Sequence, residues 1–248
     1  MTRSSRCHRL RLSAGKAWRC AARNILVPSL SALVPVILAG CASLPPANAS
    51  GHVARVELLA LLQTLNADLL SHDSATLTLE RWCADHRLAE PPRIVARRVR
   101  DVAKPVPDEL RAVLKVDAEE PVAYRRVQLM CGSHVFSEAD NWYVPGRLTA
   151  DMNQRLNTTD EPFGKVVQPL HFQRRTLSAE LLWSPLPPGW EMPGTRAVPA
   201  VDRPPLRIPG AVLRHRAVLV DPAQQPFSAV VETYTNQLFA FGPWQPSD

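Results

Sequence analysis

The stretch AYRRVQLMCGSHVFSEADNWYVP, residues 123–145, decides the fold. Ala123–Cys131 and Val135–Val144 are rich in alternating apolar, β-branched and aromatic residues, which is typical of strands. Gly132 and Ser133 stand between the two segments and predict a turn. The stretch therefore predicts two neighbouring antiparallel strands.

More strands are predicted on both sides of this pair. A closing hairpin is predicted for Ala211–Val220 and Phe227–Thr235, which the loop 221–225 joins. A strand before the first pair is predicted for Arg93–Val102. The pattern of Val166–Leu177 is ambiguous but favours an extended segment. The segment 183–210 is so rich in proline that it predicts no regular element. We interpret it as an insertion or lid, in which Trp183 and Trp190 either cover a pocket or shield a sheet edge.

Helices are predicted mainly before the strands. Val53–Leu70 has apolar residues at helical spacing, at positions 56, 59, 62, 65 and 69, and Thr76–His86 predicts a second helix ahead of Pro91. Leu148–Leu156 predicts a helix that Thr149 can cap, followed by a turn over 157–164. Helices first and a meandering sheet afterwards predict an α+β domain with an antiparallel β-sheet over residues 53–248.

The first forty residues predict an export signal. Seven basic residues and no acidic residue precede the apolar run Ile25–Gly40. Pro28 and Pro35 interrupt this run, which is short for a transmembrane helix but fits the apolar region of a signal peptide.

Leu38-Ala39-Gly40-Cys41 resembles the lipobox of bacterial lipoproteins. The resemblance implies cleavage after Gly40, lipidation of Cys41 and a tether over residues 41–52. Ala42 and Ser43 follow the cysteine without an Asp, which by family analogy favours the inner leaflet of the outer membrane, facing the periplasm. The alternatives are an ordinary signal cleaved near Ala42 or Ala49 and a retained N-terminal anchor helix.

The charge of the mature chain argues against a nucleic-acid partner. The full sequence has 29 basic and 23 acidic residues. Removal of the signal leaves 22 basic against 23 acidic residues, so the high isoelectric point belongs to the signal. In the mature part only Cys83 and Cys131 remain as thiols, which either form a disulfide in an oxidising compartment or stay as two separate buried thiols.

Three segments resemble the chorismate lyase family, whose fold is shared by the UTRA ligand-binding domains of transcription regulators. They are residues 123–145, the turn TTDEPFGK at 158–165, and the terminal hairpin LRHRAVLVDPAQQPFSAVVETYTN at 213–236. The resemblance implies a chorismate lyase-like fold and a pocket for a small aromatic carboxylate.

The resemblance also implies the site residues. Arg126 matches the family's arginine that binds a carboxylate of the ligand. Glu232 matches its acidic residue beside the ring that reacts. Phe163 and Gly164 match the turn whose backbone amides contact the ligand. Where the family tends to carry a second arginine this chain has Asn141-Trp142, which places recognition of a dicarboxylate in doubt. The alternative for Arg126 and Glu232 is a plain structural ion pair between neighbouring strands.

The remaining polar residues favour structural roles. Arg125, Arg174, Arg175, Arg214 and Arg216 are interpreted as solvated strand faces, and His134, His171 and His215 as surface or edge histidines. Metal-ligand spacing, nucleotide-binding loops and GxSxG are absent from the sequence, so we expect no metal and no cofactor.

Three functions remain open from the sequence. The first is a lipid-anchored lyase that cleaves chorismate or a related aromatic carboxylate to an aromatic acid and pyruvate, with Arg126 as anchor and Glu232 as general acid. The second is a periplasmic binding protein that uses the same pocket without catalysis. The third is a structural envelope protein whose pocket is vestigial; protein partners are unknown in all three.

Overall fold

The computed structural model describes residues 51–193 and 206–242. In these residues six strands form one antiparallel sheet in the spatial order β1-β2-β3-β6-β5-β4. The strands are β1 (Ile94–Val99), β2 (Ala123–Cys131), β3 (His134–Tyr143), β4 (Gln173–Leu181), β5 (Ala211–Val220) and β6 (Pro226–Thr235). The predicted α+β class with an antiparallel sheet is confirmed.

The last strand of the chain lies in the middle of the sheet. β6 pairs with β3 on one side and with β5 on the other. It therefore joins the meander β1-β2-β3 to the antiparallel pair β5 and β4. Glu232 of β6 lies opposite Ala139 of β3 and opposite His215 of β5. This central position places the Glu232 side chain between the two halves of the sheet.

Two helices, α1 (His52–Ser71) and α2 (Ala75–Asp85), contribute side chains to the main hydrophobic core together with the sheet. Four leucines of α1 are fully buried, Leu58, Leu62, Leu65 and Leu69. The predicted apolar face is therefore correct for Leu62, Leu65 and Leu69. At its start the buried residue is Leu58 and not Leu59. The spacing of four, three and four residues follows the helical period and puts all four leucines on one side.

A disulfide joins Cys83 of α2 to Cys131 of β2, with the two Cα atoms 6.2 Å apart. The sequence left this pairing open against two separate thiols. Both cysteines are completely buried in the main core. The bond therefore holds α2 directly to the sheet.

A helix that the sequence analysis did not predict, α3 (Asp108–Leu114), lies between β1 and β2. Pro107 precedes it. Asp108 and Glu109 place two negative charges in its first turn, where they stabilise the helix by interacting with the positive end of its dipole. Leu110 and Leu114 pack with Trp142 in a small separate cluster. The helix has only seven residues, which is too short for its apolar period to stand out from the sequence.

The connection between β3 and β4 is more helical than predicted. Thr149 caps α4 (Ala150–Thr158) by accepting a hydrogen bond from the Met152 amide, as expected. However, Phe163 and Gly164 open a short helix, α5 (Phe163–Val166), instead of lying in an open turn. A 3-10 turn over Gln168–Leu170 follows, so the extended segment predicted from Val166 begins only at Gln173.

Candidate functional site

A cavity of about 50 Å³ lies among the start of α2, α5 and one face of the sheet. Its side walls are mixed: one part is apolar and aromatic, and another carries two arginines, a glutamate, an aspartate and several hydroxyl and amide groups. The lining residues are Asp73, Ser74, Ala75, Thr76, Arg125, Val127, Leu129, Ala139, Asn141, Phe163, Gly164, Phe172, Arg174, Leu219, Ser228, Val230 and Glu232. This volume holds roughly three to five water molecules, which a small organic acid could replace.

Arg125 is a buried cation on the wall formed by β2. The residue is 4% exposed, and its Nη2 donates a hydrogen bond to the Glu161 carbonyl at 3.0 Å. Its Nε and Nη1 have no hydrogen-bond partner among the described residues. Burial, with a smaller contribution from the nearby charge of Arg98, lowers the pKa of Arg125 to about 10. At neutral pH the side chain is therefore a positive charge with two unused donor groups inside a cavity.

The second arginine of the cavity, Arg174 of β4, forms a buried ion pair with Glu232. Its Nη2 donates to Oε2 of Glu232 at 2.6 Å, and the two side chains are 4% and 6% exposed. Burial, the largest single effect, lowers the pKa of Arg174, but the charges and hydrogen bonds of Glu232 and Tyr234 together outweigh it and the pKa is raised. The charge of Arg174 is thus compensated, unlike that of Arg125.

Tyr234 and His215 extend this pair into the core. The Tyr234 hydroxyl donates to Oε2 of Glu232 at 3.0 Å, and the rings of Tyr234 and His215 pack edge to face with centroids 5.3 Å apart. His215 is fully buried, and its Nε2 lies 2.8 Å from Oδ1 of Asn66 in α1. Burial, aided by the charge of Arg174, lowers the pKa of His215 to about 4, so the ring is neutral at physiological pH.

Residues from the starts of two helices line the cavity. Ser74, Ala75 and Thr76 at the start of α2 line the cavity, and so do the first two residues of α5. The first amides of a helix have no intrahelical acceptor and carry partial positive charge. A Cβ atom at Gly164 would lie 3.2 Å from both Ser74 Oγ and Thr76 Oγ1, so glycine allows α5 to approach the start of α2 this closely.

Three of the site residues predicted from the resemblance line the cavity, and their roles stay predictions. Glu232, Phe163 and Gly164 all line the cavity. Asn141, which occupies the place of the family's second arginine, also lines it and accepts a hydrogen bond from the Ser228 hydroxyl at 2.6 Å.

Arg126 does not lie in the cavity. Side chains alternate along a strand, and the buried residues of β2 are Arg125, Val127, Leu129 and Cys131. Arg126 points to the other face, where its Nη2 contacts Oε2 of Glu138 at 3.0 Å. The alternative ion pair between Arg126 and Glu232 is therefore wrong, since Glu232 pairs with Arg174 instead.

Two arginines and a histidine that the sequence analysis interpreted as solvent-facing are buried. Arg125 and Arg174 line the cavity, and His215 lies beneath it, so these three interpretations are wrong. The sequence did contain a signal for Arg125: it shares the alternating positions of the apolar residues Val127 and Leu129, which lie on the buried face of the strand. No local signal marks Arg174, because β4 is otherwise exposed and its partner Glu232 is 58 residues away in sequence.

The tryptophans of the proline-rich segment do not line the cavity. Trp183 packs against the main core, whereas Trp190 is 40% exposed. Residues 194–205 of this segment lie outside the described residues, as do the predicted signal 1–40 and Cys41. Within the described part of the chain, no helix is long and apolar enough to cross a membrane, and no cluster of three metal-ligating side chains occurs.

The comparison with solved structures gives only weak similarities. The chain resembles PhnF from Mycobacterium smegmatis with a TM-score of 0.42 and 11% identity, covering 72% of this chain and 69% of that one. It also resembles the ligand-binding domain of a putative GntR-family transcriptional regulator from Bordetella bronchiseptica, with a TM-score of 0.37, 16% identity and coverage of 58% and 83%. Similarities of this size carry no functional argument.

No family model matches the sequence. A curated relative from Sinorhizobium fredii (strain NBRC 101917 / NGR234), the uncharacterized protein y4mC, is 54% identical over 190 residues, which cover 76% of this chain and 79% of the relative. Identity at this level over most of both chains is far above what a shared fold alone requires. The chain therefore belongs to the same protein family as y4mC of Sinorhizobium fredii.

Proposed function

We propose that this protein binds a small aromatic carboxylate in the cavity, with Arg125 holding the carboxylate. The observation that carries the proposal is the buried Arg125 guanidinium, which keeps Nε and Nη1 unpaired and has no carboxylate within 4 Å among the described residues. A buried charge without a partner is strongly unfavourable. A ligand carboxylate that accepts two parallel hydrogen bonds from the guanidinium removes this cost.

The apolar part of the cavity fits the body of such a ligand. Side chains of Val127, Leu129, Phe163, Phe172, Leu219 and Val230 surround the space beside the arginine. Aromatic rings gain from burial against such side chains and pack favourably at the edges or faces of Phe163 and Phe172. An apolar pocket with a few convergent polar groups is the usual form of a small-molecule site.

The charges of the buried lining favour a monocarboxylate. Arg174 and Glu232 neutralise each other, and Asp73 lines the cavity as an exposed residue, which leaves Arg125 as the buried lining cation without an ion pair among the described residues. Asn141 stands where a second arginine would provide another positive charge. One excess positive charge matches one carboxylate, and a second buried carboxylate would lack a partner.

Titration calorimetry with benzoate tests the binding proposal. Arg125→Ala should weaken benzoate binding by roughly 10- to 100-fold, as expected for loss of a charge-assisted hydrogen-bonded pair. The matched control is Arg126→Ala, the adjacent arginine on the opposite face, which should leave the affinity unchanged. Equal losses in the two variants, or no binding by the unaltered protein, would contradict the proposal.

A chorismate lyase-type reaction is the second candidate. It is favoured by one observation, that the Glu232 carboxylate lines the same cavity as Arg125. A general acid must reach the substrate, whereas Oε2 of Glu232 already accepts hydrogen bonds from Arg174 at 2.6 Å and from the Tyr234 hydroxyl at 3.0 Å. Incubation with chorismate and detection of pyruvate and 4-hydroxybenzoate, with Glu232→Gln as control, separates a lyase from a binding protein with the same pocket.

We also propose that the mature chain is exported and anchored to the outer membrane through a lipid on Cys41, facing the periplasm. The lipobox-like sequence Leu38–Cys41 motivates this proposal, and the Cys83–Cys131 disulfide supports it, since disulfides persist mainly in oxidising compartments. Labelling with radioactive palmitate followed by membrane fractionation is the test. Cys41→Ser should abolish the label, whereas Cys20→Ser should not.

A further inference from the structure

A second, larger pocket adjoins the cavity at its rim. This outer pocket has a volume of about 260 Å³ and is lined by His72, Asp73, Ser74, Leu77, Arg81, Gln168, His171 and Phe172. Asp73, Ser74 and Phe172 line both spaces, so the two meet at these residues. Arg125 lines only the inner cavity and therefore lies beyond this rim.

The outer pocket differs from the inner cavity in chemistry. Six of its eight lining residues have hydrogen-bonding side chains, whereas the inner wall beside Arg125 is mainly apolar. The connection between α1 and α2 forms one side, and the segment from Gln168 to Phe172 forms the other. Such a pocket suits a polar, solvent-exposed part of a ligand.

In the outer pocket Arg81 has an ionic partner, whereas the Asp73 carboxylate contacts a backbone amide. Nη2 of Arg81 lies 3.4 Å from Oδ1 of Asp68, and Nδ1 of His72 lies 3.0 Å from the same oxygen. Oδ1 of Asp73 accepts a hydrogen bond from the Arg174 amide at 2.9 Å. The outer pocket therefore offers both hydrogen-bond donors and hydrogen-bond acceptors. Among its described lining residues it lacks an unpaired cation such as the Arg125 guanidinium of the inner cavity.

We infer that the ligand is an elongated aromatic monocarboxylate whose end opposite the carboxylate carries an uncharged, hydroxyl-rich group, such as a sugar, that occupies the outer pocket. This inference rests on the proposed function, since Arg125 orients the acid inward. Hydroxyl groups both donate and accept hydrogen bonds, which matches the mixture of Gln168, His171 and Asp73. The inner cavity of about 50 Å³ receives the carboxylate beside Arg125, and the ring extends past the shared residues Asp73, Ser74 and Phe172 toward the outer pocket of about 260 Å³, which receives the polar group.

Calorimetry on the full-length protein with two probes tests the inference. The probes are benzoate and 4-(β-D-glucopyranosyloxy)benzoate, which share the ring and carboxylate and differ in the sugar. The glucoside should bind about tenfold more tightly than benzoate, as expected when two or three neutral hydrogen bonds are added. Gln168→Ala and His72→Ala should each reduce this advantage, because both side chains are exposed and line only the outer pocket.

Gln225→Ala is the matched control, because Gln225 is an exposed glutamine in the loop between β5 and β6 and lines neither pocket. It should leave the ratio of the two affinities unchanged. If benzoate binds through Arg125 but the glucoside binds no more tightly, the inference about the outer pocket is wrong and the proposed function stands. If neither probe binds, both are overturned.

Discussion

Glu232 and Arg174 form an ion pair at 2.6 Å in which both side chains are almost completely buried. The two residues come from β6 and β4, which are not neighbours in the sheet, and β5 lies between them. The pair therefore spans β5, and both of its side chains line the cavity.

Removal of one member of this pair should destabilise the protein strongly. Arg174→Met leaves the Glu232 carboxylate buried and uncompensated, and we expect a loss of about 3–5 kcal/mol in the free energy of unfolding. Urea denaturation followed by circular dichroism measures this loss. The control is Arg214→Ala, which breaks the exposed contact of Arg214 with Glu180 at 3.7 Å and should cost less than about 1 kcal/mol. Similar costs for the two variants would show that the buried pair is not needed for stability.

Stability should fall in acid because His215 is buried in its neutral form. Its folded-state pKa of about 4 lies below the ordinary value of 6.5, so the unfolded chain binds more protons between these two values. The contribution is fully present above pH 6.5 and is lost as the pH falls toward 4. Between pH 7 and pH 4.5 we expect a loss of roughly 2–3 kcal/mol from this residue.

The variant His215→Gln isolates this contribution from that of the carboxylates. Urea denaturation at pH 7 and pH 4.5 should show a smaller difference in the variant than in the unaltered protein. An identical pH dependence would mean that His215 is protonated in the folded state or exposed to solvent.

Gly164→Ala should weaken ligand binding and also lower the free energy of unfolding, because the added methyl group crowds the contact between α5 and the start of α2. The added Cβ would lie 3.2 Å from Ser74 Oγ and from Thr76 Oγ1, and all three residues line the cavity. We expect benzoate affinity to fall roughly tenfold, by analogy with about 1–2 kcal/mol for moderate overpacking. Gly146→Ala is the control, because no atom lies within 4 Å of its added Cβ. An unchanged affinity in Gly164→Ala would place the ligand elsewhere.

Loss of the disulfide should destabilise the domain. The double variant Cys83→Ala/Cys131→Ala removes a crosslink between residues 48 positions apart, for which chain entropy predicts a cost of about 4 kcal/mol. Urea denaturation with and without dithiothreitol provides the measurement. The unaltered protein should become as unstable as the double variant once it is reduced, and the double variant should not respond to the reductant. A reductant-sensitive double variant would contradict this explanation.

Much of the fold follows from local sequence patterns. β2 has the bounds predicted from its alternation, and Thr149 caps α4 as expected, because hairpins and caps depend on residues close in sequence. α3 was missed because its seven residues stand between prolines and bury only Leu110 and Leu114.

The site was harder to predict because it depends on which face each side chain occupies. The resemblance pointed to Arg126, but an error of one residue along a strand moves a side chain to the opposite face. The burial alternation of β2 puts Arg125 in the cavity and Arg126 outside it. Arg174 and His215 acquire their roles from Glu232, Tyr234 and Asn66, which lie on other elements, and no pattern within β4 or β5 indicates these contacts.

The central position of β6 has a consequence for biosynthesis. The ribosome makes β1, β2 and β3 early, but the strand that bonds to β3 and β5 is the last of the six to be synthesised. A nascent chain that ends before Pro226 therefore lacks the strand that joins the two halves of the sheet, as well as the Glu232 partner of Arg174. Long-range pairing of this kind is slow to form. The complete six-stranded sheet can therefore form only after the residues up to Thr235 have been synthesised.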